Sequence, residues 1–249
     1  MIDQKVALVT GANRGLGEGM ARHLTRAGVA VLGTYRQGAD EAEKVTTDLG
    51  DRIAFLSLDV ARPETFGDFV ASAEETVRDR FGAHRLDYLV NNAGIGTFVP
   101  FVETTPAQFD ELVAVNLRGP FFLTQSVLPL LAHGARILNV TTALTRGVVP
   151  GMAAYAATKS AVEALTRYQA VELADRGIRV NTLMGGAVET DFGGGIMHAP
   201  QVQELAAHTI AQGRIATVDD ITAAVPVVLS DAFHWATGSI IDLSGGQSL

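Results

Sequence analysis

Cysteine is absent from the 249 residues. That excludes disulfides, thiolate metal sites and cysteine nucleophiles, so any chemistry must rest on oxygen and nitrogen. Aromatic residues are sparse at 6%, and cations are the scarcer charge, with 19 Lys and Arg against 27 Asp and Glu and a formal net charge of -8. No run gathers those cations into a patch, which disfavours nucleic acid as a partner. Long apolar runs are missing as well. The stretch "ITAAVPVVL" at 221–229 contains Pro226 and falls far short of the roughly 20 residues that cross a bilayer. The first residues, Met1-Ile2-Asp3-Gln4-Lys5, pass directly into "VALVT" without a charged-then-apolar signal segment. A cytoplasmic protein with no membrane partner is the expectation. None of the histidines forms an HxxH or HExxH group, His198 and His208 included, and no metal is expected.

What is present is 47% hydrophobic residues and 26 glycines, the composition of a folded domain rich in tight turns. Seven short apolar runs read as strands: "KVALVT", "VAVLGTY", "RIAFLSL", "LDYLVNN", "RILNVTT", "IRVNTL" and "SIIDLS". Segments of helical period separate them, at 16–27, 63–81, 107–132, 155–176 and 218–230. Crossovers of that length join parallel strands, and nearly continuous apolar strands are covered on both faces. The spacing therefore predicts one α/β domain over residues 1–249: a Rossmann-like, doubly wound, seven-stranded parallel sheet with helices on both faces. A glycine-rich segment, "DFGGGIMHAP" at 191–200, lies within a mobile substrate loop placed at about 185–213.

Two motifs carry chemistry. "TGANRGLG" at 10–17 follows the first strand and opens the first helix. Gly11, Gly15 and Gly17, with Asn13, Arg14 and Leu16 between and beside them, allow a tight turn whose N–H groups approach a pyrophosphate. Tyr155 and Lys159 stand four residues apart on one helix face, where a lysine ammonium would favour the ionised form of a phenol whose ordinary pKa is about 10. Such a tyrosine exchanges protons with a carbonyl or alcohol oxygen.

The pattern TGxxxGxG, "NNAG" at 91–94, "VNL" around Asn116, YxxxK at 155–159 and the terminal Gly245-Gly246 together resemble the short-chain dehydrogenase/reductase family, over essentially the whole chain. The resemblance implies a dinucleotide-dependent oxidoreductase with Asn116, Thr142, Tyr155 and Lys159 as its catalytic set. Thr142 stands where the family places serine; it keeps the hydroxyl and adds a methyl. Asp59 and Val60 are implied at the adenine, Asn92, Ala93 and Gly94 along the cofactor wall, and Gly186, Val188 and Thr190 near the nicotinamide. Gly185 replaces the proline usual before that last group, which loosens the backbone there.

Cofactor choice is set near the end of the second strand, where an acidic residue would bond a ribose 2′-hydroxyl. Tyr35 and Arg36 occupy that place, and Arg14 is close in the glycine loop, so NADP(H) is expected in preference to NAD(H). Met152, Phe192 and Met197 are candidate substrate-pocket residues. A small or medium apolar ketone, or its secondary alcohol, is the expected substrate. The 3-oxoacyl-[acyl carrier protein] reductases are a second possibility, although only His133, Arg136 and Arg176 offer cations for such an acidic partner. A catalytically silent NADP(H)-binding regulator is an alternative of another class. The family resemblance also implies a homodimer or homotetramer.

Overall fold

The computed structural model describes residues 4–249; residues 1–3, the start of the N-terminal stretch read above, lie outside the described residues. Seven parallel strands form one sheet: β1 (Val6–Val9), β2 (Ala30–Tyr35), β3 (Ile53–Ser57), β4 (Leu86–Asn91), β5 (Leu131–Thr142), β6 (Arg179–Gly185) and β7 (Ile240–Leu243). Their order is β3-β2-β1-β4-β5-β6-β7. Strand order reverses direction between β1 and β4, and the crevice at the carboxyl ends of those strands is where doubly wound sheets bind ligands.

Alternation within each strand explains the burial of both faces. Val6 and Leu8 of β1 join Phe66, Phe69, Val77, Leu123 and Val127, whereas Ala7 and Val9 join Met20, Leu24, Val45, Ile221 and Val225. The first set belongs to α3 (Phe66–Phe81) and α5 (Gly119–Val127), packed on one side. The second belongs to α1 (Gly15–Arg26), α2 (Ala39–Leu49), α9 (Val218–Thr222) and α10 (Val225–Val228), on the other. Between these come α4 (Pro106–Val113), α6 (Ala153–Glu172), α7 (Phe192–Gly195) and α8 (Pro200–Ala207).

The predicted strands are all present, but the helices differ in three places. Helix α2 has no counterpart in the sequence reading because "ADEAEKVTTDL" buries only Ala42 and Val45, too thin a stripe to register as a period. The helix expected over 107–132 stops at Val127; Leu131 and the residues after it belong to β5. The β4–β5 register shifts between Leu86 and Tyr88, and Gly134, at φ 74°, lies in the bulging segment. The helix expected over 218–230 is two short ones, with Pro226 in the first turn of the second, where its missing N–H costs no helical bond. A Cβ on Gly19 would lie 2.4 Å from Val218 Cγ1, so that glycine lets α1 and α9 approach closely.

Candidate active site

One cavity of about 550 Å³ lies along the carboxyl ends of the strands. One end of it is built by the glycine loop. Gly11 and Gly15 adopt φ of 64° and 56°, and a Cβ on Gly17 would sit 1.9 Å from the Gly11 carbonyl oxygen. Behind the loop, Asn92 Nδ2 donates to Thr10 O at 2.8 Å, and the Thr10 hydroxyl accepts from Asn92 N at 3.0 Å and Ala93 N at 2.9 Å. These bonds lock the β1 and β4 turns together. Asn13 donates to Gln37 O at 2.9 Å and Gly38 O at 3.2 Å, tying the glycine loop to the turn after β2.

Exposed Arg14 and Arg36 both line this end of the cavity, with Leu16, Asp59, Val60, Ala93 and Gly94. Tyr35 does not: it lies outside the lining, with its ring 6.3 Å from that of Phe55, and Thr34, Arg36 and Gln37 line the wall instead. Thr34 and Tyr35 alternate at the end of β2, and the chain leaves the strand after Tyr35, so Arg36 and Gln37 reach the wall from the turn. Asp59 accepts from Ala61 N at 3.0 Å in a local turn, which leaves its second carboxylate oxygen for a ligand. The glycine cradle and the two guanidinium groups fit a dinucleotide phosphate.

At the other end Thr142, Tyr155 and Lys159 meet in the same cavity, all three buried. Thr142 ends β5 and caps the turn that follows, accepting from Leu144 N at 3.4 Å. Burial holds the pKa of the neighbouring Tyr155 phenol well above its usual value, and Thr142 opposes that rise only in part. Burial pushes the Lys159 ammonium down to about 8, and it donates to Val140 O at 2.9 Å. The expected lowering of the phenol's pKa by the ammonium is thus not what this arrangement displays. Desolvation governs both groups, and the lysine's charge is turned toward a carbonyl.

Asn116 lies in a π turn (Ala114–Arg118) between α4 and α5, just behind the cavity wall. Its Oδ1 accepts from Ile95 N and its Nδ2 donates to Ile95 O, both at 2.9 Å. A Cβ on Gly94 would lie 3.2 Å from that Oδ1 and 3.4 Å from Lys159 Nζ, so the asparagine, the lysine and the β4 turn converge where only glycine fits comfortably.

Residues outside the motifs hold this set in place. Glu163 Oε1 accepts from Thr145 at 2.7 Å and Thr141 at 3.3 Å, pinning α6 to the β5 turn. Buried Asn139 donates to Thr166 at 2.9 Å and Gln169 at 3.0 Å, and accepts from Asn91 at 2.8 Å. A polar residue inside an apolar strand was the available signal for Asn139, and the i+4 spacing from Lys159 for Glu163. Gly186, Val188 and Thr190 line the cavity together with Gln247, which no motif marks.

The remaining walls are mostly apolar, with Ile95, Phe98, Leu144, Val149, Met152, Phe192, Ile196 and Met197 beside the polar Thr97, Asp191 and Thr209. The Phe192 ring stands 5.5 Å from that of Tyr155. It enters from the 185–213 segment, whose Gly193, Gly194 and Gly195 all have positive φ and which also carries α8. His198 pairs with Asp191 at 2.9 Å. Among the described residues no group of three His, Cys, Asp or Glu is placed to hold a metal, and no helix is long and apolar enough to cross a membrane. Arg136 is buried against Asp231, and Arg176 donates to Leu128 O and Leu131 O, so both guanidinium groups are engaged within the fold.

A family model described as enoyl-(acyl carrier protein) reductase matches residues 11–248. The chain belongs to the short-chain dehydrogenase/reductase family. Versicolorin reductase 1 of Aspergillus parasiticus is 34% identical, over 98% of this chain and 97% of that protein. Angucycline C-6 ketoreductase LanV, solved with bound NADP, superposes with a TM-score of 0.92 at 34% identity, over 98% of this chain and 95% of its own. A short-chain dehydrogenase/reductase from Serratia marcescens gives a TM-score of 0.91 at 29% identity, over 100% and 99% of the two chains.

Proposed function

We propose that this short-chain dehydrogenase/reductase reduces an apolar ketone to a secondary alcohol with NADPH, with Tyr155 as proton donor. The observation that carries the reading is the convergence of Thr142, Tyr155 and Lys159 with the glycine cradle in a single cavity. Reduced nicotinamide, when bound there, supplies a hydride. Arg14 and Arg36 would hold the ribose 2′-phosphate, and the Gly11–Gly17 backbone the pyrophosphate.

The ketone oxygen is received by two hydroxyls, those of Thr142 and Tyr155. Burial keeps Tyr155 protonated and therefore in the form that gives a proton. Once the proton has left, the phenolate draws toward itself the Lys159 cation, which in the resting site rests on Val140 O in the same cavity. The fixed Asn116–Ile95 bonds hold the wall beside that lysine.

Apolar walls around Phe98, Met152 and Phe192 suit a small or medium apolar ketone. Carrier-bound 3-oxoacyl substrates are the weaker reading, because Arg136 and Arg176 are engaged internally and leave His133 without a cationic cluster to meet an acidic carrier. Exposed Phe109, Phe121 and Phe122 beside the π turn, and Tyr168 and Val171 on α6, support assembly as a homodimer or homotetramer. The test is dinucleotide oxidation, followed with NADPH and with NADH, across a panel of simple ketones, versicolorin and a 3-oxoacyl carrier thioester. Turnover of a free ketone with better efficiency on NADPH is expected. Binding without turnover on any member would identify a silent dinucleotide-binding protein instead.

A further inference from the structure

Gly185 leaves φ unrestrained where the family places a proline, yet the segment beyond it is held from the far end of the chain. Gln247 Oε1 accepts from the Ala187 N–H at 2.8 Å. A backbone N–H can only donate, so the amide oxygen must face it. Gln247 is only 6% exposed, and it lines the same cavity as Gly186, Val188 and Thr190. The approach is close: a Cβ on Gly186 would stand 2.8 Å from Ser244 O and 2.9 Å from Gln247 Oε1.

Gln247 is itself clamped. Arg146 Nη2 donates to Gln247 O at 2.8 Å and to Ser244 Oγ at 3.4 Å, while its Nη1 meets Asp242 Oδ2 at 2.9 Å. Burial raises the Asp242 carboxyl's pKa, but bonds from Ser244 and Arg146 outweigh it and hold the group below its usual range, so the clamp is charged at neutral pH. Arg146 follows directly on the turn that Thr142 caps. One line of contacts therefore runs from the catalytic threonine's turn through Arg146 and Gln247 to the backbone beside the nicotinamide place. The tail is also joined to the end of the 185–213 segment, through Gln212 N to Gly245 O at 3.1 Å and Ser248 N to Thr209 O at 2.9 Å.

We infer that Gln247, anchored by Arg146, is a positioning residue for the nicotinamide end of the dinucleotide, bracing the 186–190 backbone in place of the missing proline. The inference rests on the cofactor reading above. Its test compares Gln247→Met, which keeps the length and removes the acceptor, with Gln247→Glu, which retains an acceptor oxygen. Amide hydrogen exchange at Ala187 is measured without dinucleotide, NADPH affinity by fluorescence titration, and KM and kcat for both substrates with whichever ketone is turned over.

Gln247→Met should speed Ala187 exchange and weaken NADPH binding on the order of tenfold, as expected when a buried donor loses its partner. KM for NADPH should rise with it, while kcat at saturating NADPH and KM for the ketone stay near wild type. Gln247→Glu should restore the protection. Unchanged Ala187 exchange in Gln247→Met overturns the brace, and faster exchange with unaltered NADPH affinity overturns its role in cofactor binding. A wild-type protein that binds neither dinucleotide overturns the functional reading and the cofactor half of the inference with it, while the exchange data still report whether the brace exists.

Discussion

The ammonium of Lys159 donates to the carbonyl oxygen of Val140 at 2.9 Å, inside a cavity it shares with Tyr155. A buried cation facing a neutral acceptor is poorly compensated, which is why its pKa falls from 10.5 to about 8. Between those values the unfolded chain binds the extra proton, so stability should be lowest below pH 8 and rise as pH climbs toward 10. The full shift corresponds to about 3 kcal/mol. Above pH 10 Tyr155 acts in the opposite sense, because the buried phenol stays protonated while the unfolded one ionises. Urea unfolding between pH 7.5 and 9.5 checks this: wild type should gain stability across the range and Lys159→Met should not. Equal pH slopes in the two proteins would contradict it.

The Thr142 hydroxyl accepts from Leu144 N at 3.4 Å and lines the same cavity as Tyr155. Thr142→Ser keeps that hydroxyl and should retain most activity. Thr142→Val keeps the shape and loses the donor, which should cost on the order of 100- to 1,000-fold in kcat. Steady-state turnover of the three proteins decides the matter; comparable rates would show the hydroxyl to be idle.

Arg36 lines the cavity where a ribose phosphate would lie, with no carboxylate side chain beside it at Tyr35 or Gln37. Arg36→Ala should raise KM for NADPH on the order of 10- to 100-fold, the worth of a charge-assisted bond, and leave KM for NADH nearly unchanged. Parallel losses with both dinucleotides would place the guanidinium elsewhere than at the 2′-phosphate.

The sheet was legible because seven apolar runs separated by long crossovers admit few arrangements, and the glycine loop and YxxxK line one cavity. Helix α2 was not legible, since two buried residues leave no period to read. Sequence proximity put Tyr35 beside the cofactor, but it ends the strand with its ring near Phe55, and the cavity wall is formed by Thr34 and by Arg36 and Gln37 of the turn that follows. The depressed lysine and elevated phenol depend on burial, which helix spacing does not report. Gln247 reaches Ala187 across 60 residues of chain, and no local pattern announces such a contact.

The central claim is that Tyr155 gives the proton as a ketone is reduced. Its most direct measurement is the Tyr155→Phe protein, assayed for NADPH binding by fluorescence and for ketone reduction at saturating NADPH. The account predicts near wild-type binding with turnover down on the order of 100- to 10,000-fold. Reduction at an undiminished rate by a Tyr155→Phe protein that binds NADPH normally would contradict it.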